Sequence, residues 1–222
     1  MPRRGPLHGP VARGLACGAP LAVHHSVPWN ELGTAFLDYS TDAETLRAQW
    51  SVGDPVSWQQ RFEQLLGGQF VPAETETALR ARSRAGAGAE PAGTRRPTAA
   101  PRPRSRSWSA GTRSGSGRTG CCRPTVGWCH WSRWTWRAVG LVRWGLGARW
   151  CAPPQAEQAV VRVATRAAEV YGSWEEFAAG YTLGRVLAFD NGWFGPAYGE
   201  TAHLHRVLTQ DPASPWRTLP FA

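Results

Sequence analysis

The sequence predicts a mainly α protein: a small helical domain interrupted by a long disordered segment rich in Arg, Pro, Gly and Ser. Three observations carry this. Apolar residues recur at helical spacing near both ends of the chain. Helix-start residues stand ahead of those stripes. Between them lies a stretch with no period and almost no aliphatic side chains.

Residues 1–28 are rich in Gly, Pro and Arg and are expected to lack fixed structure. The stretch from Val11 to Val23 is interrupted by Arg13, Gly14, Gly18 and Pro20, which makes a poor export-signal core. No apolar run approaches the roughly 20 residues of a membrane span. The expectation is a cytoplasmic protein that makes no use of a membrane.

Residues 29–76 read as a helical hairpin. Asp42 is placed to cap a helix running to Trp50, which Gly53 ends. Asp54 caps the next helix, with Pro55 in its first turn, where a missing N–H costs nothing. Trp58, Phe62, Leu65 and Leu66 then fall on one stripe, closed by Gly67 and Gly68.

Residues 77–136 read as a low-complexity basic segment. It offers too little apolar surface to offset an ordering entropy of roughly 1–2 kcal/mol per residue. All the basic residues are arginine, and isoleucine is absent, which points to GC-rich coding and an actinomycete-like bacterial source. Out-of-frame reading of such DNA yields the residue types enriched here, so a shifted frame over 77–136 is a second expectation. Residues 80–149 hold fifteen arginines against Glu90 alone, while the rest of the chain has ten arginines against fifteen acids. The excess positive charge therefore belongs to the middle.

Residues 137–222 form the C-terminal helical domain. Val139, Val142 and Leu146 make one apolar face. After Pro153 and Pro154, residues Val160, Val163, Ala164, Ala167 and Tyr171 make another, stopped by Gly172. Ser173 and Glu176 form a capping box for a helix carrying Trp174, Phe177, Tyr181 and Ala188. A third helix over residues 197–208 precedes an extended tail.

The strings SWEEFAAGYTLGR (173–185) and SPWRTLPF (214–221), with RAVGLVRWGLGARW (137–150) before them, resemble the signature of the bacterial domain of unknown function 1266 family. The hairpin around Trp50 and Trp58 is a weaker match. The resemblance implies a helical bacterial domain and brings no activity, cofactor or catalytic residue with it.

The candidate ligand- or partner-binding residues are Trp174, Tyr181, Arg185, Asp190, Trp193 and Trp216: an arginine among aromatics, suited to clamp an anion or stack on a ring. The competing and weightier reading makes Trp174 and Tyr181 core and pairs Arg185 with Asp190 or a helix end. Glu200, His203 and His205 share one helix and read as a solvated face rather than a metal or acid–base site. Cys121, Cys122, Cys129 and His130 lack the spacing of a zinc site. Five cysteines without an export signal argue against a disulfide framework. Ser173 lacks the flanking glycines of a nucleophile elbow. The function expected is a non-catalytic interaction module that takes an unknown protein or a small anionic ligand, with no cofactor and no metal. The alternatives are an enzyme with a site near Arg185 and Asp190, and non-specific nucleic-acid binding through the arginine-rich middle, which is not favoured.

Overall fold

A computed structural model describes residues 5–33, 39–67, 126–190 and 195–222, and the description below concerns these alone. They form nine helices and, among the described residues, no strand. The helices are α1 (Gly9–Cys17), α2 (Ala19–His24), α3 (Tyr39–Trp50), α4 (Pro55–Gly67), α5 (Val126–Gly147), α6 (Pro153–Ala168), α7 (Trp174–Phe189), α8 (Pro196–Gln210) and α9 (Pro215–Thr218). The predicted fold class is the observed one.

The architecture follows from α5. Residues 138–143 of α5 are all buried, and six consecutive positions point around the helix rather than along one stripe. A stretch of helix buried on every side must be covered on every side. Accordingly α1, α2, α3, α4, α6 and α7 all pack against it, while α8 lies on α7 and α2. One core runs through these layers, joining Leu15, Leu46, Trp58, Val139, Val160 and Trp216. Leu46 and Trp58 from α3 and α4 therefore share a core with Val139 and Val160 from α5 and α6. α3 and α4 each lie on α5, so the expected hairpin is anchored by a third helix.

The N-terminal expectation is corrected. Within residues 1–28, α1 and α2 are formed, and Ala12, Leu15, Ala16, Cys17, Ala19 and Ala22 are core. Gly and Pro misled because both weaken an isolated helix. Here Gly14 is the point where α1 crosses α6: a Cβ there would stand 2.9 Å from Val160 Cβ and closer still to its backbone. Gly18 joins α1 to α2, and Pro20 sits in the first turn of α2, where it is tolerated.

The segment expected to be low-complexity over 77–136 is also corrected at its C-terminal end, since α5 begins at Val126. The rest of that segment, with its proposed frame shift and nucleic-acid role, lies outside the described residues.

Local signals place the other helix ends. Asp54 Oδ1 accepts from the N–H groups of Val56 and Ser57 at 2.8 and 2.9 Å, the predicted cap of α4. Ser173 Oγ accepts from Glu176 N–H at 3.2 Å, whereas the returning Glu176 carboxylate accepts from Gly172 N–H at 2.8 Å, one residue earlier than expected. Asp42 lies inside the first turn of α3, which begins at Tyr39, and is buried. α3 ends at Trp50, ahead of Gly53: Ser51, the next residue, is left-handed at φ +54°, and Val52 N–H donates to the Leu46 carbonyl at 3.1 Å. α6 ends at Ala168, ahead of Gly172. The tail is not wholly extended, because Ser214 accepts from Trp216 N–H and starts the single turn α9.

Candidate functional site

Trp174 starts α7, and its indole stacks on Trp216 with centroids 5.6 Å apart. Each indole N–H has a backbone acceptor: Trp174 donates to Leu219 and Trp216 to Ala16, both at 3.0 Å. Both rings are buried in the main core. Tyr181, two turns along α7, is buried elsewhere, edge-on to Trp136 at 5.5 Å. Burial pushes its hydroxyl up to about 12, with Arg185 pulling down and Glu200 up.

Asp190 ends α7 and accepts from three backbone N–H groups, of Gly195, Ala197 and Tyr198, at 3.1, 3.2 and 2.8 Å. It is the cap of α8, supplied from the preceding loop. Trp193 lies outside the described residues. The candidate residues thus do not form one patch. Trp174 and Trp216 meet in the core, Tyr181 and Arg185 neighbour each other, and Asp190 is occupied by a helix end.

Arg185 is the candidate that reaches a cavity. Its guanidinium pairs with Glu200 on α8, not with Asp190, and Glu200 also pairs with His24 at the end of α2. The guanidinium lies 4.8 Å from the centroid of Phe189, which is itself 62% exposed. Glu200, His203 and His205 do not converge: Glu200 is held by Arg185 and His24, His203 is exposed, and His205 leans on Trp216.

Between α2, α3, α5 and α7 opens a cleft of about 410 Å³, lined by Arg137, Arg143 and Arg185 and by Trp50, Trp136 and Trp144, with Phe189, His24 and His25 also in its wall. Asp42 is the carboxylate in the lining. α5 supplies the floor because Trp136, Gly140, Arg143 and Trp144 fall at i, i+4, i+7 and i+8. Gly140 keeps that floor open: a Cβ there would come within 3.0 Å of Leu21 and 3.4 Å of Trp144.

Arg143 is only 5% exposed. It donates to the carbonyl of Trp29 at 2.6 Å and more weakly to that of Pro28 at 3.4 Å. Burial pulls its guanidinium down to about 10, with Glu31 acting in the opposite direction, so it stays charged at neutral pH. Four buried side-chain donors lack a partner among the described residues: Nε of Arg143 and Arg185, and Nε1 of Trp50 and Trp136. All four belong to residues lining this cleft.

Sequence reading had named Arg185 from this wall and missed Arg137, Arg143, Trp50 and Trp136 as site residues. A signal existed. Arg143 interrupts the apolar run from Ala138 to Leu146, and a charge in such a place is rare unless something answers it.

The described cysteines, Cys17 and Cys151, are free and buried, and burial pushes both thiols up to about 12, which leaves them poor nucleophiles. Cys129 and His130 lie in the part of α5 whose side chains are outside the description, and Cys121 and Cys122 lie outside the described residues. Among the described residues no group of three His, Cys, Asp or Glu side chains is placed to hold a metal, and no helix is long and apolar enough to cross a membrane.

Fold and cleft together define a class: an α-helical domain packed around one central helix, with an arginine- and tryptophan-lined cleft beside it. The chain belongs to the family described as Protein of unknown function (DUF1266), whose model matches residues 45–221. The match begins within α3, so α1, α2 and His24 precede it. No curated protein and no solved structure matches the chain.

Proposed function

We propose that this protein is a non-catalytic bacterial interaction module that binds a small anionic ligand in the cleft between α2, α3, α5 and α7. One observation carries the reading: the four buried donors left unpaired among the described residues all belong to that cleft's lining. An unpaired buried donor costs about 1–3 kcal/mol. All four are closed to solvent as the cleft stands, so a ligand rich in acceptors reaches them as the wall side chains turn toward it. The cleft volume suits a small molecule, whose sites span roughly 300–1,000 Å³.

A binding role fits better than an enzyme centred on Arg185 and Asp190. The Asp190 carboxylate is engaged by three backbone N–H groups at the start of α8. Arg185 pairs with Glu200 and lines the cavity. The two free, buried cysteines suit the reducing cytoplasm, and the absence of lysine and isoleucine suits an actinomycete-like source.

Thermal shift of the full chain with acetate, benzoate and inorganic phosphate at low ionic strength tests the proposal. A ligand at 100 times its Kd adds about 2.7 kcal/mol of stability. At least one anion is expected to raise Tm in the wild type and to lose that effect in Arg185→Gln. No shift with any anion, or an equal shift in the variant, would overturn it.

A further inference from the structure

We infer that the cleft takes a planar aromatic monocarboxylate, an inference that rests on the anion-binding reading above. Three features of the wall carry it. The first is its aromatic character: Trp50, Trp136, Trp144 and Phe189 all line the cavity. Phe189 is 62% exposed, a large apolar ring left uncovered at the same place as Arg185. A bare inorganic anion would have no use for such a ring, whereas an aromatic ligand would cover it.

The second feature is that guanidinium groups already lie on rings here. Arg185 stands 4.8 Å from the Phe189 centroid and Arg137 4.7 Å from that of Trp50. A planar ligand entering beside them extends a stack that is already formed, with a guanidinium on one face and an aromatic edge on the other.

The third feature is the charge balance. Arg137, Arg143 and Arg185 face Asp42 in the lining. Glu200 is bound to Arg185 from α8, and Glu31 acts on Arg143 through space. Those three acids equal the three arginines in number, so the wall carries no formal surplus. A phosphomonoester dianion is opposed by such a balance more than a single negative charge is. The unpaired donors on Arg143, Arg185, Trp50 and Trp136 are all N–H groups, so the complementary end of the ligand is an acceptor without donors, as a carboxylate is.

Calorimetric titration of the full chain separates the alternatives, using 2-naphthoate, 2-naphthamide, cyclohexanecarboxylate, 1-naphthyl phosphate and inorganic phosphate. The expected result is that 2-naphthoate binds at least about tenfold more tightly than the amide, the saturated acid or either phosphate. Phe189→Ala, an exposed position whose truncation leaves the core intact, should weaken 2-naphthoate and leave cyclohexanecarboxylate unchanged. If cyclohexanecarboxylate or inorganic phosphate binds as tightly as 2-naphthoate, and both need Arg185, the anion reading stands and the aromatic inference falls. Tighter binding of 1-naphthyl phosphate overturns the monocarboxylate. If no anion binds, both readings fall together.

Discussion

Trp216 Nε1 donates to the carbonyl oxygen of Ala16 at 3.0 Å, tying together residues 200 positions apart. The C-terminal turn thereby closes over α1, with Trp174 stacked behind it. Trp216→Phe keeps a ring in place and removes the hydrogen bond. We expect it to cost about 2 kcal/mol, from an unsatisfied carbonyl and lost volume, measured as a lower midpoint in urea with an unchanged m-value.

Gly145 lies under the indole of Trp58, whose Nε1 donates to Leu141 at 2.9 Å. A Cβ at Gly145 would stand 2.7 Å from Trp58 Cε2 and nearer still to Nε1. Gly145→Ala adds helix propensity of about 1 kcal/mol, but overpacking of a core ring costs about 1–3 kcal/mol. Net destabilisation is expected, and a stabilised variant would show that α4 rides above α5 rather than on it.

Ser51 is exposed and left-handed, at the place where glycine is commonest after a helix. Ser51→Gly relieves the Cβ clash while Val52 N–H keeps its bond to Leu46. A gain of about 0.5–1 kcal/mol is expected in denaturant unfolding.

Asp190 distinguishes a cap from a reacting group. Asp190→Ala should cost about 1–2 kcal/mol through loss of the α8 cap, with Asp190→Asn intermediate. Anion affinity in the cleft should survive in both, provided it is measured well below the midpoint of unfolding. A selective loss of binding in a stable Asn variant would move the site toward α8.

His205 sits beside Trp216, and burial lowers its pKa from the ordinary 6.5, against a raising influence from Glu175. The folded state then resists the proton more than the unfolded chain does. Stability is therefore full above the unfolded value and falls as pH drops from about 7 through 6.5 toward the depressed folded value. His25 contributes with the same sign, because burial lowers its pKa first, His24 second, while Glu200 opposes. A Tm series from pH 8 to 5.5 should show a decline that His205→Gln makes shallower; an unchanged slope would remove His205 from the cause.

Much of the fold was legible because its signals are local. Asp54, Pro55 and the stripe from Trp58 to Leu65 lie within one helix and its cap, and all three were read correctly. Ser173 was legible for the same reason. The N-terminus was not. Gly14, Gly18 and Pro20 look like helix breakers until α6 and α5 are set beside them, when Gly14 becomes a crossing point with Val160 and Gly18 one with Val139. The site was legible only in Arg185. Its partner Glu200 comes from the next helix, and Trp50, Trp136 and Arg143 come from elements far apart in the chain.

By itself, the sequence determined α3, α4, α6, α7 and α8, several helix caps and the mainly α class, since backbone hydrogen bonding and capping need only neighbours within a few residues. It also placed the chain in its family through the strings at 173–185 and 214–221. Tertiary structure alone decided that α1 and α2 are core, that residues 138–143 of α5 are buried all round, and that Arg143 and Arg185 line one cavity. Those outcomes depend on which surfaces exclude water together, and a side chain's burial is set by helices that approach it from distant parts of the chain.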